Sequence, residues 1–200
     1  MNVLVIAEDH QLDQFLLKPL VEAILRAADV RQARVRVCTN PRFRGDTQVL
    51  DWSPLSIAVR QHSGMTDLFL LCVDRDGNET RHLVLERLEA AARTELKADQ
   101  GFFAVQAVQE LEVWALAGIQ PLPRGWRWAE VRSHRDPKEA YFRPHVEQRG
   151  LRTTPGAGRK TLGEEAASNY ARVRRRCSEV RQLEERIRGW CITRGLAAQP

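Results

Sequence analysis

The sequence lacks a long hydrophobic run, and no apolar segment approaches the ~20 residues that a membrane-spanning helix requires. Met1–Ile6 contains no basic residue and is followed almost at once by Glu8 and Asp9. A secretory signal peptide instead begins with a basic region and continues with a longer apolar one. We therefore expect no membrane association and a cytoplasmic location.

Cysteines and histidines at the spacing of paired metal ligands are also missing. The chain has four cysteines, none in a Cys-x-x-Cys pair, and five histidines, none at metal-ligand spacing from another histidine. This pattern argues against a structural zinc site and against a disulfide framework. Cys38 and Cys72 lie within apolar patterns, where small buried side chains belong, so a reducing compartment fits best.

Basic charge is concentrated near the C-terminus. The formal net charge is +5, but residues 149–200 contain 12 Lys and Arg against 5 Asp and Glu, whereas residues 1–148 contain 19 against 21. A basic segment of this kind indicates an anionic partner, with nucleic acid the first candidate. The alternative is a solvated arginine-rich helix face. The candidate nucleic-acid-binding residues are Arg172, Arg174, Arg175, Arg176 and Arg181.

Short apolar runs alternate with segments of helical periodicity in the first 120 residues. Strands are predicted at Asn2–Ala7, around Val35 and Val37, at Asp67–Asp74 and at Phe102–Ala107. Helices are predicted between them at 12–27, where Pro19 should kink or end the helix, at 53–61, at 80–97 and at 110–116. This alternation predicts an α/β, Rossmann-like fold with a mainly parallel central sheet flanked by helices.

The remaining sequence divides into two parts. Residues 121–160 are rich in Pro, Gly and charge and are predicted to form loops with one short helix near Pro137. Residues 161–200 are predicted to form a basic helical C-terminal extension packed on the 1–120 core. Within it, Thr161–Ile192 shows one long helical pattern, with Leu162, Val173 and Leu183 on its apolar stripe.

Acidic residues follow two of the predicted strands. Glu8 follows the first strand, and Asp74 and Asp76 follow the most apolar one. Ligands of open parallel sheets bind beyond the carboxyl ends of the strands, and clustered carboxylates favour Mg²⁺ or Mn²⁺. The alternative is that these acids only terminate their strands. The three residues form the candidate metal site.

The order of the acidic and aromatic motifs carries a family resemblance. The matching segments are Glu8, Asp74-x-Asp76, Glu110–Trp114, Asp136–Glu139 and Asn169-Tyr170 within an Arg-, Cys- and Glu-rich tail. Together they resemble the TOPRIM domain of topoisomerases, primases and overcoming-lysogenization-defect nucleases, and more closely a family of small stand-alone TOPRIM-like bacterial proteins. The resemblance covers nearly the whole chain. It departs from the TOPRIM pattern at Asp9, where a glycine usually follows the glutamate.

The resemblance implies a TOPRIM-like nuclease that cleaves phosphodiester bonds of DNA or RNA. Glu8 would act as general acid/base or metal ligand, and Asp74 and Asp76 would hold Mg²⁺ or Mn²⁺. Glu112 would be a fourth acid, and Lys138 would neutralise charge on the reacting phosphate. Many of the resembled proteins act in antiphage defence beside an ABC/SMC-type ATPase, so such a partner is expected, and homo-oligomer formation stays open.

Two other functions are compatible with the sequence. Val3–His10 also resembles the opening of a response-regulator receiver, in which an acidic pair binds Mg²⁺ and a later aspartate accepts phosphate. Against this, Asp74 follows Glu8 by 66 residues, and a second acid rather than Met-Pro comes after it. The third possibility is a non-catalytic adaptor that binds nucleic acid or protein through the basic tail alone.

Overall fold

The structure, a computed structural model, describes residues 1–30, 32–43 and 45–196, and of Asp46 only the backbone. In this part of the chain four strands form one parallel sheet in the order β2-β1-β3-β4. The strands are β1 Asn2–Ile6, β2 Arg34–Val37, β3 Leu68–Asp74 and β4 Gly101–Ala107. The predicted α/β fold with a parallel sheet is confirmed.

Helices connect and cover the strands. The helices are α1 His10–Ala27, α2 Asp46–Val49, α3 Trp52–His62, α4 Arg81–Glu95, α5 Glu112–Ala117, α6 Trp128–Ser133, α7 Arg143–Gln148, α8 Arg159–Ser168, α9 Tyr170–Arg176 and α10 Ser178–Ile192. A short 3₁₀ turn spans Ser63–Met65, and a π-helical turn at Lys138–Phe142 leads into α7. None of the described helices is long and apolar enough to cross a membrane.

The two faces of the sheet carry separate hydrophobic cores. Strand residues such as Val5, Leu70 and Cys72 point to one face, where α1, α5 and α8–α10 cover them. Phe69 and Leu71 point to the other face, against α3 and α4. All six residues of β3 before Asp74 are buried, as expected for a central strand that is apolar on both sides.

Helix α1 continues through Pro19, so the prediction that the helix could end at that residue is wrong. The helix begins at Asp9, whose Oδ1 accepts hydrogen bonds from the backbone N–H groups of Gln11 at 2.9 Å and Leu12 at 3.1 Å. Proline inside a helix costs about 3 kcal/mol. Seven buried residues between Leu16 and Leu25 offset that cost, because each contributes about 1–3 kcal/mol on burial.

Residues 121–160 contain more helix than the sequence predicted. Two α-helices, α6 and α7, and the π-helical turn lie where loops with one short helix were expected. Their few apolar side chains explain the difference, because Val131, Phe142 and Val146 are all buried against the main core. The composition of residues 121–160 predicted loops, but these three buried side chains hold the segment against the main core.

The C-terminal segment forms three helices instead of one. The chain leaves helical geometry at Asn169 and again at Cys177, where φ is −117° and ψ is 97°. Most residues of the predicted apolar stripe, including Leu162, Val173 and Leu183, are nevertheless buried. The breaks let α8 pack along α1 while α10 contacts β4, which one straight helix could not do.

Candidate carboxylate site at the carboxyl edge of the sheet

Glu8 and Asp74 meet at the point where the strand order reverses. The chain runs from β1 outward to β2 and then crosses β1 to form β3, so the carboxyl ends of β1 and β3 flank the switch point where α/β folds bind ligands. Glu8 follows β1, and its Oε1 accepts a hydrogen bond from the backbone N–H of Asp74 at 3.4 Å. The structure therefore brings these two predicted site residues together.

Asp74 is held in place by the turn that follows β4. Its Oδ1 accepts a hydrogen bond from the backbone N–H of Leu111 at 2.7 Å. Burial raises the pKa of Asp74 well above its ordinary value, and the charges of Glu112 and Glu8 raise it further, while the Leu111 hydrogen bond lowers it. Asp74 is thus the centre of a group of mutually repelling carboxylates.

Asp13 is a member of this group that the sequence reasoning missed. Burial, followed by the charge of Glu112, raises the pKa of Asp13 to about 7, although the nearby Arg159 guanidinium opposes the shift. Asp13 lies one helical turn after the capping residue Asp9, so it faces the same sheet edge that Glu8 occupies. That spacing was the available signal. We call Glu8, Asp13, Asp74 and Glu112 the carboxylate site.

Glu112 is the best neutralised acid of the carboxylate site. Its side chain is 3% exposed and forms ion pairs with the guanidinium of Arg159, itself 5% exposed, and with Lys138 Nζ at 3.5 Å. The π-helical turn brings Lys138 there, because its backbone N–H donates to Glu110 Oε2 at 2.7 Å. The structure thus places Lys138 and Glu112 together beside Asp74, and it adds Arg159, which no motif indicated.

Asp76 lies in the turn after β3. Its φ is +50°, and its half-exposed carboxylate lies 3.9 Å from the Arg81 guanidinium. Gln109, in the segment that follows β4, holds this turn: its carbonyl accepts from the N–H groups of Arg75 and Asp76, and its side-chain oxygen accepts from Gly77 N at 2.9 Å. Asp76 is therefore positioned by backbone hydrogen bonds at the border of the carboxylate site.

The predicted nucleic-acid-binding arginines differ in their contacts. Arg174 binds Glu184 at 2.8 Å, Arg176 donates to the Ala117 carbonyl at 2.9 Å and stacks over Trp128, and Arg181 lies 3.9 Å from Glu185. Arg172 donates to the side chain of Gln120. Arg175 is exposed and has no hydrogen-bond or ion-pair partner in the described part of the chain. Of the five, Arg175 has the side chain that is available to a phosphate without breaking an internal contact.

The carboxylate site offers only a few oxygen ligands to a metal ion. Among residues 1–30, 32–43 and 45–196, no group of three or more His, Cys, Asp or Glu side chains is arranged to hold one. Glu8 and Asp74 remain as two adjacent oxygen donors. Mg²⁺ commonly binds through one or two protein carboxylates and keeps several waters, so this pair fits Mg²⁺ or Mn²⁺ and does not fit a closed all-protein cage.

Comparisons with known proteins give no relatives for this chain. No protein-family model, no curated protein and no solved structure matches it significantly. The TOPRIM resemblance therefore rests on the ordered motifs and stays a prediction.

Proposed function

We propose that the protein is a Mg²⁺- or Mn²⁺-dependent nuclease that cleaves phosphodiester bonds of DNA or RNA at the carboxylate site. The observation that carries the proposal is the environment of Asp74, a partly buried carboxylate next to Glu8 at the sheet switch point, whose pKa is raised by desolvation and by the charges of Glu112 and Glu8. Neighbouring carboxylates repel one another and destabilise the metal-free protein, whereas a bound divalent cation would neutralise this repulsion and stabilise the same arrangement.

The described residues supply distinct parts of the chemistry. Glu8 and Asp74 would hold the cation, which when bound polarises a phosphate oxygen and lowers the pKa of a coordinated water. Lys138, whose Nζ lies 3.5 Å from Glu112 Oε1, would neutralise charge that develops on the phosphate during cleavage. Glu112 would act by orienting Lys138 and Arg159, since its carboxylate contacts both cations.

Asp74→Asn is the first test of this proposal. The amide keeps the shape of the side chain and the hydrogen bond from Leu111, but it removes one charge from the carboxylate site. We expect the variant to lose metal-dependent cleavage of a DNA and RNA substrate panel, and to be at least as stable as the wild type without metal. Saturating Mg²⁺ or Mn²⁺ should raise the Tm of the wild type and leave that of Asp74→Asn unchanged.

Two further variants control the interpretation. Asp99→Asn also removes one acid, but Asp99 lies before β4, at the amino ends of the strands. This variant should retain both cleavage and the metal-induced rise in Tm. Glu8→Gln should lose cleavage and keep part of the Tm rise if Glu8 is the general acid/base, or lose both if it is a ligand. Equal cleavage by the wild type and Asp74→Asn would exclude the nuclease function.

The resemblance also suggests how the activity is controlled. Many of the resembled proteins act with an ABC/SMC-type ATPase in antiphage defence, and we extend that partner to this chain. Cleavage assays therefore include the ATPase encoded beside the protein, if one is present. An adjacent gene for such an ATPase and a stable complex of the two purified proteins would support this part of the proposal.

A receiver-like signalling module is the second candidate. Asp74 ends the third strand beside Glu8 of the first, and the order β2-β1-β3-β4 matches the start of the doubly wound order that receivers share. Acetyl phosphate with Mg²⁺ should then phosphorylate the wild type and not Asp74→Asn, as mass spectrometry of the intact chain would show. Metal-dependent cleavage without labelling would decide for the nuclease.

A further inference from the structure

His145 is a buried histidine that the proposed chemistry does not use. It lies in α7 and is only 7% exposed. Its ring contacts the Trp126 ring, with the ring centres 5.6 Å apart and the two planes tilted by 57°. Both ring nitrogens are enclosed, and neither has a hydrogen-bond partner among the described residues, which holds for no other histidine described. These surroundings accommodate a neutral imidazole and offer no acceptor to a charged one.

Protonation of the His145 ring is therefore unfavourable in the folded protein. An imidazolium has two N–H donors, and a buried charge whose donors are unsatisfied is strongly destabilising. The Trp126 ring can attract a cation, but this contact does not replace the two hydrogen bonds that water would accept. Burial accordingly lowers the pKa of His145 below its ordinary value of 6.5, and the charge of Arg149 lowers it further, while Glu165 opposes the shift.

The contact between His145 and Trp126 joins the two ends of one segment of the chain. We call residues 126–149 the α6–α7 segment. The Trp126 ring contacts both His145 and the Tyr141 ring, whose centre is 5.0 Å away, so it closes the segment on itself. The segment also contains Lys138, whose Nζ lies 3.5 Å from Glu112 Oε1 at the carboxylate site. A charge on His145 would thus disturb the packing of the segment that positions Lys138.

The other charged groups of this region respond differently to mild acid. Arg149 donates to both oxygens of Glu165 in α8, at 2.7 and 2.6 Å, and this bonding lowers the pKa of Glu165, so the pair stays charged at pH 5.5. Asp13 and Glu110 have raised pKa values, so protonation of either acid stabilises the folded state. Of these groups, His145 is the one whose protonation disfavours the packed segment.

We propose that His145 is a pH-sensitive switch, whose neutral ring keeps the α6–α7 segment packed on the core and whose protonation in mild acid releases it. Only the opened segment binds the proton readily, so the stability of the packed form is complete above about pH 6.5 and decreases as the pH falls below that value. Release would separate Lys138 from Glu112. A resulting loss of cleavage rests on the proposed nuclease function, whereas the switch itself does not.

Amide hydrogen exchange of the full chain, measured by mass spectrometry at pH 7.5 and pH 5.5 and corrected for intrinsic exchange rates, tests the switch. We expect the open population of the α6–α7 segment to be about three- to tenfold larger at pH 5.5, because a single group one unit below its ordinary pKa changes an equilibrium by at most about tenfold. Peptides of α10, which contains no histidine, should show no such increase. In an NMR titration, the His145 ring of the folded protein should protonate below pH 6.5.

His145→Leu and His145→Gln remove the titrating ring in an apolar and in a polar form, and exchange of the segment should then no longer depend on pH in either variant. His134→Gln is the matched control, because His134 is exposed, lies in the same segment and contacts Tyr141 edge-on at 5.4 Å. It should keep the wild-type pH response.

An equal pH response in the wild type and the His145 variants would overturn the proposal. A His145 ring that protonates at pH 6.5 or above in the folded protein would overturn it as well. Exchange is measured without metal or substrate, so failure of the switch and failure of the nuclease function are distinguished.

Discussion

Asp13 and Asp74 show how one shared environment changes single residues. Both are aspartates near Glu112, and burial is the largest cause of the raised pKa of each. At Asp13 the charge of the Arg159 guanidinium offsets part of this rise in pKa. The cost of this arrangement should be measurable as a pH dependence of stability.

Asp13→Asn should stabilise the protein above neutral pH. In the folded protein Asp13 keeps its proton up to a pKa of about 7, whereas in the unfolded chain it ionises near 3.8. The folded state thus binds more protons between these values, so stability from this group is complete below about pH 4 and is lost as the pH rises to about 7. We expect the Tm of the variant at pH 8 to exceed that of the wild type by roughly 2–6 °C, on the order of 1–2 kcal/mol.

The comparison between pH 5 and pH 8 provides the check on that prediction. Thermal unfolding of Asp13→Asn should lose less stability between the two pH values than unfolding of the wild type does. Asp99→Asn removes an exposed aspartate from the other sheet edge and should follow the wild-type curve. Parallel curves for Asp13→Asn and the wild type would show that Asp13 is already ionised near pH 4.

At the scale of elements, two glycines allow α8 to approach its neighbours. A Cβ on Gly163 of α8 would lie 2.9 Å from Leu16 Cα and from the Phe15 carbonyl oxygen in α1. A Cβ on Gly118, just after α5, would lie 2.4 Å from Ala166 Cα. Backbone atoms cannot move aside as side chains do, so these contacts fix how closely the C-terminal helices pack on the core.

Gly163→Ala should destabilise the protein although alanine is the better helix former. We expect a loss of about 1–3 kcal/mol from overpacking against α1, measured by denaturant unfolding. Gly189→Ala in α10 is the control, because a Cβ there meets no atom within 4 Å and should leave stability unchanged or raise it by up to about 1 kcal/mol. A neutral Gly163→Ala would mean that α1 and α8 adjust their spacing freely.

The lateral edge of the sheet formed by strand β4 is a second feature at the scale of elements. Among the described residues no strand pairs with the outer side of β4. The Glu89–Arg186 pair covers this side: Ala104 N donates to Glu89 Oε1 at 2.7 Å, and Arg186 donates to the Ala104 carbonyl at 3.3 Å. Arg186 also binds both Glu89 oxygens at 2.6 and 2.7 Å. An exposed edge can pair with another chain, and this ion pair protects against that.

At the scale of the whole molecule, the basic C-terminal charge is largely used inside the fold. Glu184 is 1% exposed and accepts hydrogen bonds from Tyr170, Arg174 and Arg188, which tie α10 to α9. Arg188 also donates to the carbonyl of Ala27, the last residue of α1. The net charge of +5 therefore overstates the number of arginines that are free for a partner.

Arg175→Ala should reduce nucleic-acid affinity without loss of stability. Each phosphate contact releases condensed counterions. The slope of log K against log salt concentration should therefore become shallower by about 1, the change expected for the loss of one contact. Fluorescence anisotropy with single-stranded DNA and RNA at several salt concentrations measures this slope. Arg93→Ala is the control and should leave the slope unchanged, because Arg93 is exposed on α4, which covers the other face of the sheet. An unaltered slope in Arg175→Ala would assign the exposed tail to protein contacts.

The sequence by itself determined the strands, their parallel arrangement and the meeting of Glu8 with Asp74. Apolar composition and period are local properties, and parallel strands necessarily present their carboxyl ends at one edge. The same reasoning failed for residues 121–160, where burial against distant helices outweighed local composition, and α1 does not end at Pro19. Local pattern decides what an element is, while its partners decide where it ends.

Only the tertiary structure decided which charges surround the acids. Glu112 and Arg159 are 47 residues apart, and Glu8 and Asp74 are 66 apart. The proximity of Glu8 and Asp74 follows from the rule that parallel strands end at the same edge of a sheet. No sequence pattern predicts the contact between Glu112 and Arg159. Arg159 reaches Glu112 because α8 packs between α1 and α5 through its glycine contacts. Desolvation and charge both depend on such packing, so the raised pKa of Asp13 is a property of the assembled fold alone.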